Sequence, residues 1–143
     1  MMFDHWPQRR ADLGADIIAE LELTDRLSAR DVGHAQMLRL AYQERMLEQL
    51  SRDGIDLVVS PTQPCPPPLI GTTHLAFAGD PSDDVTSVMC GLTDVYNVLG
   101  WPAITVPCGT DGLGLPVGCQ IAAAPWREAD CLAAAEVVER ATL

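Results

Sequence analysis

The segment NVLGWPAITVPCG, which runs from 97 to 109, decides the fold of this chain. Its first residues complete a helical pattern over 84–99, where apolar side chains recur every three or four residues. Gly100 ends that helix because glycine adopts a left-handed conformation at little steric cost, and Pro102 prevents the helix from continuing. The β-branched run 103–106 then predicts a strand. The segment therefore predicts a helix that turns sharply into a strand.

The residues after this segment predict another strand and a last helix. Residues 107–114 are rich in turn-forming residues and predict a connection, and residues 117–122 predict the next strand. We expect these neighbouring strands to pair as a hairpin. Pro125 suits the first turn of a final helix, whose apolar face contains Cys131, Leu132, Ala135 and Val138.

The residues before the segment predict two helices and one more strand. Leu13, Ile17 and Leu21 lie four residues apart and predict a helix over 11–23. Ser28 is suited to cap a second helix, which we expect to extend to about Ser51 with Asp31 in its first turn. A single buried stripe on that helix is predicted from Val32, Ala35, Leu38, Tyr42, Met46 and Leu50.

The remaining strand is predicted over 55–60, where the chain is short, apolar and β-branched. Such a run is typical of a strand buried on both faces, so we expect its sheet to contain strands that this sequence does not supply. Six prolines fall within 61–82, and we expect a long loop there without regular structure. A loop of that length inside a compact domain is usually functional or packed against another segment.

The predicted order of helices and strands favours the α/β class, with a partial mixed sheet and flanking helices. At 143 residues the sequence has the length of one domain, and we treat 1–143 as a single partial domain. The sequence contains no internal repeat.

Composition excludes several kinds of partner. All nine basic residues are arginine, and the net charge is −11. A nucleic acid or an anionic membrane surface requires a basic face, so we expect neither as a partner. The N-terminal residues lack a basic region followed by an apolar run, so we expect no signal peptide, and no apolar run is long enough to span a membrane. The five cysteines include no Cys-x-x-Cys pair, and with no export signal we expect them to be reduced thiols in the cytoplasm.

Three stretches together resemble the amidase-signature family. The first is DLVVSPT at 56–62, which is similar to that family's strand ending in Pro-Thr. The second is TDVYNVLGWPAITVPCG at 93–109, and the third is GLPVGCQI at 114–121. The likeness covers roughly 13–140, and its segments occur in the family's order and spacing. The resemblance implies the C-terminal part of an amidase-signature fold, with the catalytic portion lying before it.

That resemblance also implies a reaction and what this segment adds to it. Members of the family hydrolyse carboxylic amides with a serine nucleophile, a second serine held by a cis peptide bond, and a lysine base, without metal or organic cofactor. This sequence has no lysine and no Gly-Ser-rich segment, so we expect the chain to be inactive alone and to supply scaffold and substrate-pocket wall. The residues that the resemblance places at the acyl-binding cleft are Cys90, Thr93, Asn97 and Trp101. Because Cys90 is neutral, an apolar or aromatic amide is the expected substrate.

Other functions are compatible with the sequence. Cys108 lies on a turn and suggests a thiol hydrolase with His34 or His74 as its base, although buried, inert cysteines are commoner. A loose cluster of possible metal ligands consists of Cys65, His74, Asp80, Asp83 and Asp84. Its spacing differs from that of zinc ligand pairs, which normally lie two to four residues apart. A further alternative is a non-catalytic subunit that docks on a separate catalytic chain, or a homo-oligomer joined through exposed apolar surface. Trp6, Trp101 and Trp126 are candidates for that surface.

Overall fold

The computed structural model describes residues 8–77 and 80–142, with the backbone alone for 77 and 80–83. After a short 3-10 helix at Arg10–Asp12, the elements in chain order are α1 Ala15–Thr24, α2 Ala29–Asp53, β1 Leu57–Pro61, β2 His74–Phe77, β3 Asp80–Asp84, α3 Val85–Cys90, α4 Asp94–Leu99, β4 Ala103–Thr110, β5 Pro116–Ala123 and α5 Glu128–Thr142. This order confirms the predicted α/β class. The chain falls into two compact units that divide after Leu40, and α2 runs through the boundary. Assignment of 1–143 to a single partial domain stays a prediction.

The first unit contains α1 and the start of α2, close to the predicted bounds. Ser28 and Asp31 form a reciprocal cap, in which Asp31 Oδ2 accepts from the Ser28 backbone N–H at 2.9 Å and Ser28 Oγ accepts from the Asp31 N–H at 3.2 Å. This arrangement satisfies two helix-end donors and confirms the predicted start of α2. The predicted single buried stripe on α2 is wrong over most of its length, because Val32, Leu38 and Tyr42 are 50%, 59% and 41% exposed, while Met46 and Leu50 near its end reach the core.

In the second unit, three strands form an antiparallel sheet in the order β1-β5-β4. Ser60 pairs with Gln120 between β1 and β5, and Thr105 pairs with Gln120 between β4 and β5. The hairpin predicted between the last two strands is therefore confirmed. β1 has a single neighbour among the described strands, and Val59 on it is 61% exposed. Burial of this strand on both faces is thus not found here, since one edge and part of one face remain open.

Helices cover both faces of this sheet. On one face, the end of α2 and α4 enclose a core made of Leu50, Tyr96, Leu99, Trp101 and Ala122. Side chains alternate along a strand, so Ile121 and Ala123 point to the other face, where α5 packs through Cys131 and Ala135. These four residues are all buried. The sheet is consequently the middle of three layers.

Two sequence predictions between β1 and β4 are wrong. Residues 61–82 are not a loop throughout, because β2 and β3 pair as an antiparallel hairpin with Pro81 inside β3. A two-stranded hairpin leaves one side of each strand unpaired, and proline, which lacks an N–H, is tolerated there. The helix predicted over 84–99 is two helices, separated by a turn at 91–93 in which Thr93 donates both its N–H and its hydroxyl to the Cys90 carbonyl oxygen.

No helix within the described ranges 8–77 and 80–142 combines the length and the apolar character that crossing a bilayer requires.

Candidate functional site

An open cavity of about 610 Å³ lies between the proline-rich loop that follows β1 and the β4–β5 hairpin. Six of the thirteen residues that line it are prolines: Pro61, Pro64, Pro66, Pro67, Pro107 and Pro116. Its polar lining consists of Thr62, Gln63, Thr105 and Asp111. Its size is that of pockets that take small organic ligands, which run to about 300–1,000 Å³. The first part of the proline-rich loop therefore borders a cavity.

The floor of the cavity is a close junction between β1, β4 and β5. The Thr62 N–H donates to the Gly118 carbonyl oxygen at 2.9 Å, and the Thr62 hydroxyl donates to Thr105 Oγ1 at 3.1 Å. A Cβ atom on Gly118 would lie 2.6 Å from Thr62 Oγ1 and 2.9 Å from Thr105 Cγ2. Only glycine allows this approach, so the start of the proline-rich loop is held tightly on the sheet.

Asp111 fixes the turn that closes the β4–β5 hairpin. Its Oδ1 accepts hydrogen bonds from the backbone N–H groups of Leu113 and Leu115, both at 2.8 Å, and its own N–H donates to the Leu115 carbonyl oxygen. The carboxylate is half-buried and lines the cavity. Aspartate commonly stabilises turns in this way, and here the turn also orients a negative charge towards the cavity.

Gln120 connects the sheet to the turn between α3 and α4. Its side chain is 3% exposed, and its Nε2 donates to the Leu92 carbonyl oxygen at 2.9 Å and to Ser60 Oγ at 3.3 Å. A buried amide that makes several hydrogen bonds defines one geometry, because leaving any of these groups unpaired is unfavourable. The position of the α3–α4 turn on the sheet is therefore fixed by one side chain.

Of the four residues predicted to face a substrate cleft, Cys90, Thr93 and Asn97 lie on or beside this turn and Trp101 follows α4. None of the four lines the cavity. Cys90 ends α3 and is half-buried, Thr93 precedes α4 and uses its hydroxyl within the turn, and Asn97 is exposed on α4. The turn and the cavity adjoin, because Cys65 Sγ in the loop lies 3.6 Å from Met89 Sδ on α3. A substrate-binding role for these residues stays a prediction.

Trp101 differs from the other three. Its side chain is 6% exposed and packs in the core with Leu50, Tyr96 and Leu99, and its Nε1 is buried without a hydrogen-bond partner in the described part of the chain. Burial is also the first cause of the raised pKa of the neighbouring Tyr96, with Tyr42 adding to it. In this structure the Trp101 indole packs against the buried side of α4.

The cysteines do not form the arrangement that a thiol hydrolase needs. All five are described and are free. Cys108 Sγ lies 3.4 Å from the Val117 carbonyl oxygen, and His74 Nδ1 lies 3.0 Å from Thr73 Oγ1, while no hydrogen bond joins Cys108 to His74. Burial and the nearby Cys108 raise the pKa of Cys119, which disfavours its thiolate. His34 lies on α2 in the other unit.

The predicted metal cluster is also not assembled by the side chains that the structure describes. Among these residues, no three His, Cys, Asp or Glu side chains come together. Asp84 instead caps α3, accepting from the Ser87 N–H at 2.9 Å, as expected for an acidic residue at a helix start. The side chains of Asp80 and Asp83 lie outside those described.

Trp126 is the tryptophan that the structure leaves at the surface. It is 91% exposed and has a φ of 67°, an uncommon backbone conformation for a bulky residue. The next residue, Arg127, is held by Asp56 at 2.7 Å and by Asp130 at 2.5 Å, and these hydrogen bonds raise its pKa. Trp6 lies outside the described residues.

Sequence patterns alone do not single out Asp111 or Gln120. Asp111 belongs to the run Thr110-Asp111-Gly112, whose composition signals a turn and gives no sign that a cavity lies beside it. Gln120 gives a weak signal, since it is a polar residue in the middle of an apolar strand pattern. A buried polar residue of that kind usually has a specific hydrogen-bond partner.

Known proteins share both the sequence and the fold. A family model described as Amidase matches residues 8–132. The chain is 35% identical over 131 residues to a fatty acid amide hydrolase of Arabidopsis thaliana, in a match that covers 92% of this chain and 21% of that protein. It is 33% identical over 128 residues to a fatty acid amide hydrolase of Medicago truncatula, covering 90% and 21%. A bacterial aryl acylamidase of the amidase signature family has a similar structure, with a TM-score of 0.72 at 26% identity over 96% of this chain and 28% of that one. The chain spans about a fifth of the length of the curated relatives that it matches.

Proposed function

The chain belongs to the amidase family, and on that premise we propose that it forms the scaffold and one wall of the substrate site of an amide hydrolase. The family membership carries this proposal, since the family model extends over most of the chain. The catalytic serines and the lysine base come from polypeptide outside these residues, because the sequence contains no lysine. The segment alone is then inactive towards amides.

The rigid α3–α4 turn supports a wall function. Gln120 fixes this turn on the sheet, so Cys90, Thr93 and Asn97 are presented in one arrangement. Productive catalysis requires substrate groups to be held within fractions of an ångström, and residues on a fixed turn provide such positioning. Trp101 contributes from beneath by supporting α4.

We propose an apolar or aromatic amide as the substrate. None of Cys90, Thr93 and Asn97 carries a charge, so a substrate with its own ammonium or carboxylate near this wall would lack a partner. The names of similar proteins, a fatty acid amide hydrolase and an aryl acylamidase, agree with such a substrate. A reducing, cytoplasmic location is part of the proposal and agrees with the five free cysteines.

Two assays test the proposal. The purified chain, supplied with a panel of aryl and aliphatic amides, is expected to release no ammonia or amine above buffer. A chimera in which these residues replace the matching segment of the Arabidopsis fatty acid amide hydrolase is expected to cleave amides. In that chimera Asn97→Ala should raise KM, while Asp94→Ala on the same helix should not. A folded chimera without activity, or equal effects of the two substitutions, would contradict the wall function.

A non-catalytic binding role is the second candidate. It is favoured by exposed apolar side chains on α2, where Met37 and Leu40 are 69% and 63% exposed, and by Trp126. Such residues suit contact with a partner chain or with a second copy. Sedimentation of the purified chain distinguishes these cases. Amide cleavage by the chain alone that is lost in Cys108→Ala would instead support the thiol hydrolase.

A further inference from the structure

None of the four residues of the proposed wall lines the cavity beneath the proline-rich loop. We propose that this cavity binds small organic ammonium ions, with an apolar body against the prolines and the charged head at Asp111. The inference goes beyond the proposed function, because it depends only on described residues between 61 and 118 and holds whether or not the chain supports amide cleavage.

The apolar part of the site is preformed. Proline has a fixed φ, so a wall that is nearly half proline loses little conformational freedom when a ligand binds. The junction of Thr62 with Gly118 and Thr105 holds the first residues of the loop against the sheet, and the Cys65–Met89 contact holds the middle of the loop against α3. A ligand therefore meets a surface that already has its bound shape.

The charge at the site selects a cation. Among the described residues that line the cavity, Asp111 is the only acidic or basic one. The N–H groups of Leu113 and Leu115 both bond to Oδ1, which orients the carboxylate and leaves Oδ2 for a ligand. A half-buried carboxylate interacts more strongly with an ammonium group than an exposed one does, and the net charge of −11 adds attraction at longer range.

These features predict an order of affinity among ligands of one shape. An amine gains the charge-assisted hydrogen bond to Asp111, a neutral alcohol gains an ordinary one, and a carboxylate is repelled. Hydrogen bonds to charged groups contribute more than bonds between neutral groups, so we expect the amine to bind about tenfold tighter than the alcohol.

Fluorine NMR titration of the whole chain with three probes tests this order. The probes are para-fluorobenzylamine, para-fluorobenzyl alcohol and para-fluorobenzoate, which share one ring. We expect the amine to bind most tightly and the benzoate most weakly. Equal affinities for amine and alcohol, or no measurable binding of the amine, would overturn the proposal, and neither outcome bears on amide cleavage.

Two variants and one control locate the binding. Asp111→Asn keeps an oxygen acceptor for the two backbone N–H groups and removes the charge, so amine affinity should fall to that of the alcohol. Asp94→Asn removes an exposed carboxylate that does not line the cavity and should leave all affinities unchanged. Val117→Phe places a ring in the cavity and should weaken binding of amine and alcohol alike. The site is wrongly assigned if Asp111→Asn and Asp94→Asn weaken amine binding equally, or if Val117→Phe has no effect on binding. If Asp111→Asn does not fold, the titrations of Val117→Phe and of the wild type still test the proposal.

Discussion

Thr62 and Gly118 meet so closely that the hydroxyl of one occupies the space that a side chain on the other would need. The Thr62 N–H donates to the Gly118 carbonyl oxygen at 2.9 Å, and a Cβ on Gly118 would lie 2.6 Å from Thr62 Oγ1. The backbone of Gly118 has no left-handed conformation that would itself favour glycine. The requirement for glycine at this position is therefore steric.

Gly118→Ala should destabilise the fold because the new methyl group meets Thr62 and Thr105 at distances that real Cβ atoms do not adopt. Overpacking of this kind costs about 1–3 kcal/mol, and we expect that loss in the free energy of unfolding measured with urea. Gly112→Ala is the matched control, since nothing lies within 4 Å of its Cβ position, and it should change stability by less than about 0.5 kcal/mol. Similar losses in both variants would show that the junction is looser than described.

Gln120→Glu should destabilise the fold in a manner that depends on pH. The substitution places a carboxyl opposite the Leu92 carbonyl oxygen, and burial raises its folded pKa above the ordinary value of about 4.3. A group with a raised folded pKa contributes its stability below the unfolded pKa and loses that stability as pH rises through the folded pKa. The difference in unfolding free energy from the wild type should therefore grow between about pH 4 and pH 8.

Gln36→Glu is the control for this experiment. Gln36 is exposed on α2 and lies beside Arg39, so its substitution should have little effect at any of these pH values. If unfolding curves show the same pH dependence for both variants, Gln120 does not anchor the α3–α4 turn.

Ser28→Ala should raise the pKa of Asp31. The Ser28 hydroxyl is the main cause of the lowered pKa of this carboxyl, and the Ser28 backbone N–H, which the variant keeps, is the second. A carboxyl whose pKa is lower in the folded state stabilises the fold at pH values above its ordinary pKa of 3.8. This contribution is lost as the pH falls through the lower folded pKa. NMR titration of the Asp31 carboxyl should show a partial return towards 3.8, and Ser51→Ala at the other end of α2 should cause none. An unchanged titration in Ser28→Ala would exclude the cap.

Local patterns predicted most of the helices and strands of this chain. Ser28 with Asp31 indicated the start of α2, and Gly100 with Pro102 indicated the end of α4 and the entry into β4, because capping and proline effects act within a few residues. The β2–β3 hairpin was missed because the prolines around it suggest irregular structure, although Pro81 is compatible with the unpaired side of a short strand. The break at Gly91 was missed because apolar spacing continues across it.

The candidate sites were less predictable, since they depend on contacts between distant residues. Thr62, Thr105 and Gly118 come from three separate stretches of the chain, and no pattern in the sequence shows that they meet. The burial of Trp101 was unpredictable for the same reason, because its place in the core depends on Leu50, which lies far before it in the chain. The resemblance predicted the amidase family correctly.

The strand order β1-β5-β4 also has a kinetic consequence. The central strand is the last one in the sequence, so β4 and β5 can meet through a short turn, whereas β1 must close a long loop to join them. Local contacts of this kind form faster than distant ones, and the entropy of loop closure rises with the length of the intervening chain. Assembly of the sheet should therefore start at the hairpin near the C-terminus and finish with β1, and the cavity beneath the proline-rich loop can form only in that final step.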